Sequence, residues 1–144
     1  MQTVNADTMN AANSENYART SKVPLKASKT ASKKLLIVDD DAVLLSRLER
    51  AMAKRGFDVV TANSCTAATG AMTNEMTHAL VDMRLGDGHG LDILPALRRQ
   101  NPNVKVVMLT GYGSIPTAVE ATRRGADDYL LKPASLADIL TAVE

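Results

Sequence analysis

Five short apolar runs, each followed by residues at helical spacing, organise the chain from residue 35 to its end. Residues 35–38 form a compact apolar run closed by Asp39, Asp40 and Asp41, and read as a first strand. Beyond it, Val43, Leu44, Leu48, Ala51 and Met52 recur near helical spacing over residues 42–55, and Gly56 supplies the stop. Phe57–Ala62 is a second strand, and Ser64 is placed to cap a helix running from Cys65 to Asn74. Ala79, Leu80 and Val81 run straight into Asp82 as a third strand, with the glycine-rich turn GDGHG following at residues 86–90. A third helix spans residues 91–100, with Leu91, Leu94 and Leu97 on one face. Pro95 is tolerable in its first turns, and Asn101-Pro102 breaks it. Residues 104–109 are a fourth strand that ends at Thr110, and Gly111-Tyr112-Gly113 is a loop. Ser114 caps a helix with Pro116 near its start that reaches Arg124, where Gly125 stops it. Residues 127–131 are a fifth strand, followed by Lys132-Pro133. Ser135 caps a last helix with Leu136, Ile139, Leu140 and Val143 on its apolar side. Strand–helix alternation of this kind predicts a doubly wound α/β domain with a five-stranded parallel sheet and helices on both faces.

Composition narrows this picture. The 144 residues suit one domain, and with one Phe, three Tyr and no Trp the core must be aliphatic. The single cysteine, Cys65, excludes an internal disulfide and a cysteine-cluster metal site, and fits a cytoplasmic location. His78 and His89 are too few for a zinc site without carboxylate help. No apolar run approaches the roughly 18 residues of a membrane span. The net charge of +1 is unevenly spread: residues 1–34 carry a surplus of Lys and Arg, and the remainder is mildly acidic. Residues 1–32 are rich in Asn, Ala, Ser, Thr and Lys and poor in large apolar residues, which predicts a disordered basic N-terminal extension ahead of a domain at residues 33–144. The extension lacks the apolar centre of a secretory signal, and arginine is too rare for a transit peptide to be the first choice. A basic tail on an acidic domain is not by charge alone a nucleic-acid-binding domain.

Ligands of open parallel α/β sheets gather beyond the carboxyl ends of the strands. There the sequence places Asp39 and Asp40 after the first strand, Asp82 after the third, Thr110 after the fourth and Lys132 after the fifth. Each taken alone has a plain structural role; Asp82 could cap the turn after it, Asp41 the first helix, and Thr110 could be a satisfied strand hydroxyl. Together they make a rim of carboxylates that repel one another unless a cation is supplied. A hard divalent ion such as Mg²⁺, held by carboxylates, waters and phosphate oxygens, meets that need. Lys132 and Thr110 would then meet phosphate oxygens, a set suited to phosphoryl transfer onto a carboxylate.

Four segments carry a family likeness: LLIVDDD at 35–41, LVDMRLGDGHGLD at 80–92, VVMLTGYG at 106–113 and GADDYLLKP at 125–133. In this order and spacing they resemble the receiver domain of two-component response regulators. The resemblance implies a flavodoxin-like (βα)5 fold with strand order 2-1-3-4-5. It implies Asp82 as phosphoacceptor, and Mg²⁺ held by Asp40, by Asp39 partly through water, by Asp82 and by the backbone carbonyl of Arg84. It further implies Lys132 as the contact to the aspartyl phosphate, a cis bond before Pro133, and Thr110 and Tyr129 as a switch pair. A sensor histidine kinase would donate the phosphoryl group. A phosphorylation-dependent homodimer would form through the fourth helix, fifth strand and fifth helix, with Arg123, Arg124, Asp127 and Asp128 available for ion pairs.

Within that family, the segments RLGDGHGLDILPALRR, TGYGSIPTAV and GADDYLLKP most resemble the RegA/PrrA/ActR redox-responsive group, whose members carry a Fis-type helix-turn-helix behind a proline-rich linker. The chain ends at Glu144 with no DNA-reading helix, so DNA contact would need an output domain absent from this chain. Two other readings compete. LLIVDDDAVLL fits a haloacid-dehalogenase-like phosphatase with Asp39 as nucleophile, Asp41 as acid/base and Asp127-Asp128 as a metal pair, but it leaves Asp82 and Lys132 without work and the chain short of a cap. A receiver-like interaction module that is never phosphorylated would usually lack one of the acidic or lysine positions, and all are present here.

Overall fold

A computed structural model of the chain describes residues 32–111 and 115–144. The expected N-terminal extension up to residue 31 and the expected cap at Ser114 lie outside the described residues. Five parallel strands form one sheet: β1 (Lys33–Val38), β2 (Phe57–Ala62), β3 (His78–Val81), β4 (Lys105–Thr110) and β5 (Asp128–Leu131). Their spatial order is β2-β1-β3-β4-β5. Between them run α1 (Ala42–Lys54), α2 (Cys65–Ala71), α3 (Leu94–Gln100), α4 (Ile115–Arg123) and, last, α5 (Leu136–Val143). This is the doubly wound parallel sheet that the strand–helix alternation predicts, in the strand order that the family resemblance implies.

The strands are apolar along their length because both sheet faces are covered. In β1, Leu35 and Ile37 point to one layer, while Leu36 and Val38 point to the other. Leu80 of β3 and Val107 and Leu109 of β4 join the first layer, where α1 contributes Leu48 and Met52 and α5 contributes Ile139, Leu140 and Val143. Ala79, Val81, Val106 and Met108 join the second, against Ala68 of α2, Leu94 and Leu97 of α3 and Ala121 of α4. Met52, Met72, Met76, Met83 and Met108 are all buried, so methionine does much of the filling that aromatics do elsewhere.

Helix ends follow the local chemistry. The Asp41 carboxylate accepts from the amides of Val43 and Leu44, Ser64 accepts from Ala67 and Ser135 from Asp138. Gly56 ends α1 with φ +92°, a conformation open to glycine. Two helices differ from the periodicity. α2 stops at Ala71 rather than Asn74, because Met72 turns extended and Met72 and Met76 go into the core. Residues 91–100 are not one helix: a 3₁₀ turn at Gly90–Ile93 precedes α3, which opens with Pro95 in its first turn, where a missing amide costs nothing. A two-residue antiparallel ladder forms across residues 84–89, Arg84 opposite His89 and Leu85 opposite Gly88.

At the opposite end of the sheet from the aspartates, the His78 ring meets Phe57 edge-on at 5.3 Å, and Nδ1 lies 2.7 Å from the Thr77 hydroxyl. Burial pushes the imidazole below its ordinary value, Lys33 and Lys105 push the same way, and Glu144 pulls weakly against them. The unfolded chain therefore takes up this proton more readily than the folded one. Stability is full above about pH 6.5, the ordinary histidine value, and falls as pH drops from there through the lowered folded value. Urea midpoints between pH 7.5 and 5.5 should decline for the wild type and stay flatter for His78→Asn.

Candidate functional site

Strand order brings the chemistry together. The chain leaves β1 outward to β2 and returns across β1 to β3, so the ends of β1 and β3 are neighbours at the point where connection direction reverses. The Asp39 amide donates to the Ala62 carbonyl at 3.1 Å and the Asp82 amide to the Val38 carbonyl at 2.8 Å, which continues the ladder one residue past the strands. Both aspartates thereby enter the sheet edge as buried residues, 2% and 6% exposed. Thr110, the last residue of β4, is fully buried beside them in sequence order of the strands.

The Lys132 ammonium joins the two carboxylates, at 2.8 Å from Asp39 Oδ2 and 3.1 Å from Asp82 Oδ2. Burial opposes the lysine's charge, yet its hydrogen bonds to Asp39 and then Asp82 outweigh this and raise it above its ordinary value. Burial and then the Asp39 charge push the Asp82 carboxyl above its ordinary value, against the pull of Lys132 and of the Arg84 amide. That amide lies 3.4 Å from Asp82 Oδ1. The other oxygen of Asp39 accepts from the Asp41 amide at 2.8 Å. Asp40 stands exposed at the mouth, and Asp39, Asp40 and Asp82 each offer an oxygen within 4.8 Å of the others. One ammonium among three carboxylates leaves a net negative site of hard oxygen donors. A pocket of about 610 Å³ opens over Asp40, Asp82, Arg84, Gly111 and Lys132.

Thus Asp39, Asp40, Asp82 and Lys132 form one cluster, with Arg84 on its wall and Thr110 at the same strand ends. Tyr129 is set back: it pairs with Met108 in the register while Thr110 pairs with Leu131, so Thr110 and Tyr129 share one face of the sheet two residues apart. Asp41 is the helix cap. Asp127 is not part of a metal pair; its carboxylate accepts from the Val106 amide at 2.7 Å and from Arg98 at 3.2 Å, fastening β5 to β4. Arg98 also donates to the Val104 and Gly125 carbonyls. Arg123 and Arg124 find partners within the domain, in Glu120 and, for Arg124, Asp92.

Sequence reasoning passed over two residues of the loop after β3. Gly90 packs its Cα on the end of β3: a Cβ there would fall 1.9 Å from the Asp82 carbonyl oxygen and 2.8 Å from Val81. Asp87 reaches the start of α2, and the Thr66 amide, the Cys65 amide and the Thr66 hydroxyl hold its carboxyl well below the usual range, at about 2. A glycine three residues after Asp87 and an aspartate between two glycines were the available signals.

The model of the response regulator receiver domain matches residues 35–144. The chain belongs to this family. The receiver is 51% identical over 112 residues to the acid tolerance regulatory protein ActR of Sinorhizobium medicae, covering 77% of this chain and 58% of that protein. It is 46% identical over 114 residues to the photosynthetic apparatus regulatory protein RegA of Rhodobacter capsulatus, covering 78% and 62%. The receiver thus spans about six-tenths of the length of these relatives. Among solved structures it matches a response regulator from Burkholderia pseudomallei that holds a phosphorylated aspartic acid, a calcium ion and citrate, with TM-score 0.71 and 37% identity over 78% of this chain and 67% of that one. Family membership does not favour the phosphatase reading.

Gly90→Ala forces either the Asp82 carbonyl or the 3₁₀ turn to move. The receiver should lose about 1–3 kcal/mol or more, the range of an overpacked interior, read from urea unfolding.

Proposed function

We propose that this receiver accepts a phosphoryl group on Asp82 in a Mg²⁺-dependent reaction and changes conformation in response. The Lys132 bridge between Asp39 and Asp82, with Asp40 at the mouth, carries the reading. Asp39, Asp40 and Asp82 supply hard oxygens at the spacing a small divalent cation takes, with the Arg84 carbonyl as a further donor. Bound there, Mg²⁺ would neutralise the carboxylates and the incoming phosphoryl oxygens. A carboxylate oxygen of Asp82 attacks phosphorus, the bond to the donor's leaving group breaks, and that group departs with its electron pair. Lys132 gives up its hydrogen bond to Asp82 and turns its charge to a phosphoryl oxygen. Thr110 donates its hydroxyl to another, and Tyr129, on the same sheet face, follows into the space vacated. Positioning and charge supply the catalysis, so the protein is a phosphoacceptor that promotes its own transfer and dephosphorylation, not a turnover enzyme.

A sensor histidine kinase is the natural donor for this class, and the cytoplasm the natural compartment. Among the described residues no helix is long and apolar enough to cross a membrane. In this reading residues 33–144 are the phosphoacceptor domain and residues 1–32 an extension to it. The face of α4, β5 and α5, with Val119 and Leu131 exposed, serves a phosphorylation-dependent homodimer. DNA would be reached through an output domain outside this chain.

Acetyl phosphate with Mg²⁺, followed by intact mass and peptide mapping, tests the chemistry. The expected result is one labile phosphate on Asp82, absent without Mg²⁺ and absent in Asp82→Asn. Lys132→Ala should slow labelling at least tenfold, in the range seen when a charge-stabilising donor is removed. Label on Asp39, or labelling unchanged in Asp82→Asn, would overturn the assignment.

A further inference from the structure

The loop from Asp82 to Gly90 is held at its base and at its tip, with the Arg84–His89 and Leu85–Gly88 ladder and the Cys65 thiol's bond to the His89 carbonyl between them. At its base the Gly90 amide donates to the Met83 carbonyl at 2.8 Å, and the missing Cβ lets the two backbones touch. At its tip the Asp87 carboxylate accepts from the Cys65 amide at 2.8 Å, the Thr66 amide at 3.0 Å and the Thr66 hydroxyl at 2.9 Å. Gly86 and Gly88 flank it, so Asp87 is the one side chain by which the tip is tied. Gly88 closes the contact from the other side, where a Cβ would lie 3.4 Å from Cys65 Sγ. Arg84, with its amide on Asp82, sits between base and tip.

The contact is more than α2 needs. Ser64 already caps the helix through Ala67, and the amides that Asp87 takes lie at the exposed surface, where water would serve them. A charge-assisted, two-oxygen contact at that place instead fixes a position, since both oxygens must meet their donors at once. Met83 and Leu85 are buried, but apolar anchors resist a sliding backbone less than directional bonds do.

We infer that Asp87 is a positioning residue for the acceptor site: by tying the loop tip to the first two amides of α2 it fixes the backbone at Arg84, and with it the geometry in which Asp82 meets a cation and a phosphoryl donor. The inference rests on the reading of Asp82 as the phosphoacceptor. Misplacement of supporting groups by fractions of an ångström is enough to weaken metal sites and slow reactions.

The test compares the wild type with Asp87→Ala, Asp87→Asn and Ser64→Ala in the full chain. Ser64→Ala removes a cap bond from the same helix without touching the loop, and so controls for helix destabilisation. Each variant is assayed well below its Tm, for Mg²⁺ affinity by calorimetric titration, for amide exchange across residues 84–90, and for acetyl phosphate labelling. Asp87→Ala should weaken Mg²⁺ roughly tenfold, the low end for outer-shell partners of a metal site, and speed exchange at Arg84. Asp87→Asn, which keeps one accepting oxygen, should fall between, and if Asp87→Ala does not fold it carries the comparison alone. Ser64→Ala should lower Tm with Mg²⁺ affinity unchanged. Equal Mg²⁺ affinity in the wild type and the Asp87 variants, or an equal loss in Ser64→Ala, overturns the positioning role. A wild type that takes neither Mg²⁺ nor phosphate overturns the acceptor reading itself, and the inference falls with it.

Discussion

One ammonium group shared by two buried carboxylates is the constraint around which this domain is arranged. Asp39 and Asp82 come from strands that are neighbours only because the chain reverses direction between β2 and β3. Lys132 comes from beyond the far edge strand, β5, and still reaches both. Desolvating two carboxylates costs several kcal/mol for each ion that is not compensated. Lys132 compensates one charge of the two, and the remainder, with Asp40, leaves a site short of positive charge. Such a pocket is poised for a cation, and its stability and its chemistry are therefore the same electrostatic problem.

The rest of the fold serves the placement of those four groups. The two apolar layers fix the strands to within one residue of register, and a slip by one would turn every carboxylate from the rim into a layer of aliphatic side chains. Backbone bonds from Asp39 to Ala62, Asp82 to Val38 and Lys132 to Thr110 extend the ladder beyond the strands proper. The functional residues thus sit on continuations of the sheet, where backbone positions are stiffer than in free loops. Asp127 and Arg98 serve the same end at the other edge by fastening β5 to β4, and so hold Lys132 at the height of the aspartates.

Strands, caps and the cluster itself were legible in the sequence because each depends on local pattern. An apolar run ended by aspartate gave the strand and its terminal carboxylate together, and Ser64, Ser135 and Asp41 stood where caps belong. What escaped depends on contacts between distant residues. Asp87 looked like an ordinary turn aspartate, since its partners lie 21 and 22 residues earlier. Gly90 looked like turn punctuation, though the reason for it is the Asp82 carbonyl against its Cα. Asp127 looked free to serve a metal or a dimer, because nothing local reveals that Val106 and Arg98 claim it. The split of the third helix into a 3₁₀ turn and α3 was hidden by a leucine spacing that both conformations satisfy nearly as well.

The same bridge explains how a small chemical change would spread. A phosphoryl group adds about −1.5 to −2 charge near neutral pH, against the single charge of the carboxylate it replaces. On the proposed chemistry Lys132 then leaves Asp82 for phosphoryl oxygen, and the force falls on a residue whose own amide is bonded to the Thr110 carbonyl. Thr110 is fully buried, so a movement of its side chain is felt by the groups packed around it. Tyr129 shares the face of Thr110 two residues along the neighbouring strand, partly buried against the core. In the proposed switch, movement of Thr110 toward the phosphate would open volume on that face for the half-buried ring. On the other side, Gly90 and Asp87 hold the loop after β3 against the sheet and α2. In the proposed switch, a rearrangement blocked in that direction passes through β4 toward α4 and β5, part of the face proposed for the homodimer.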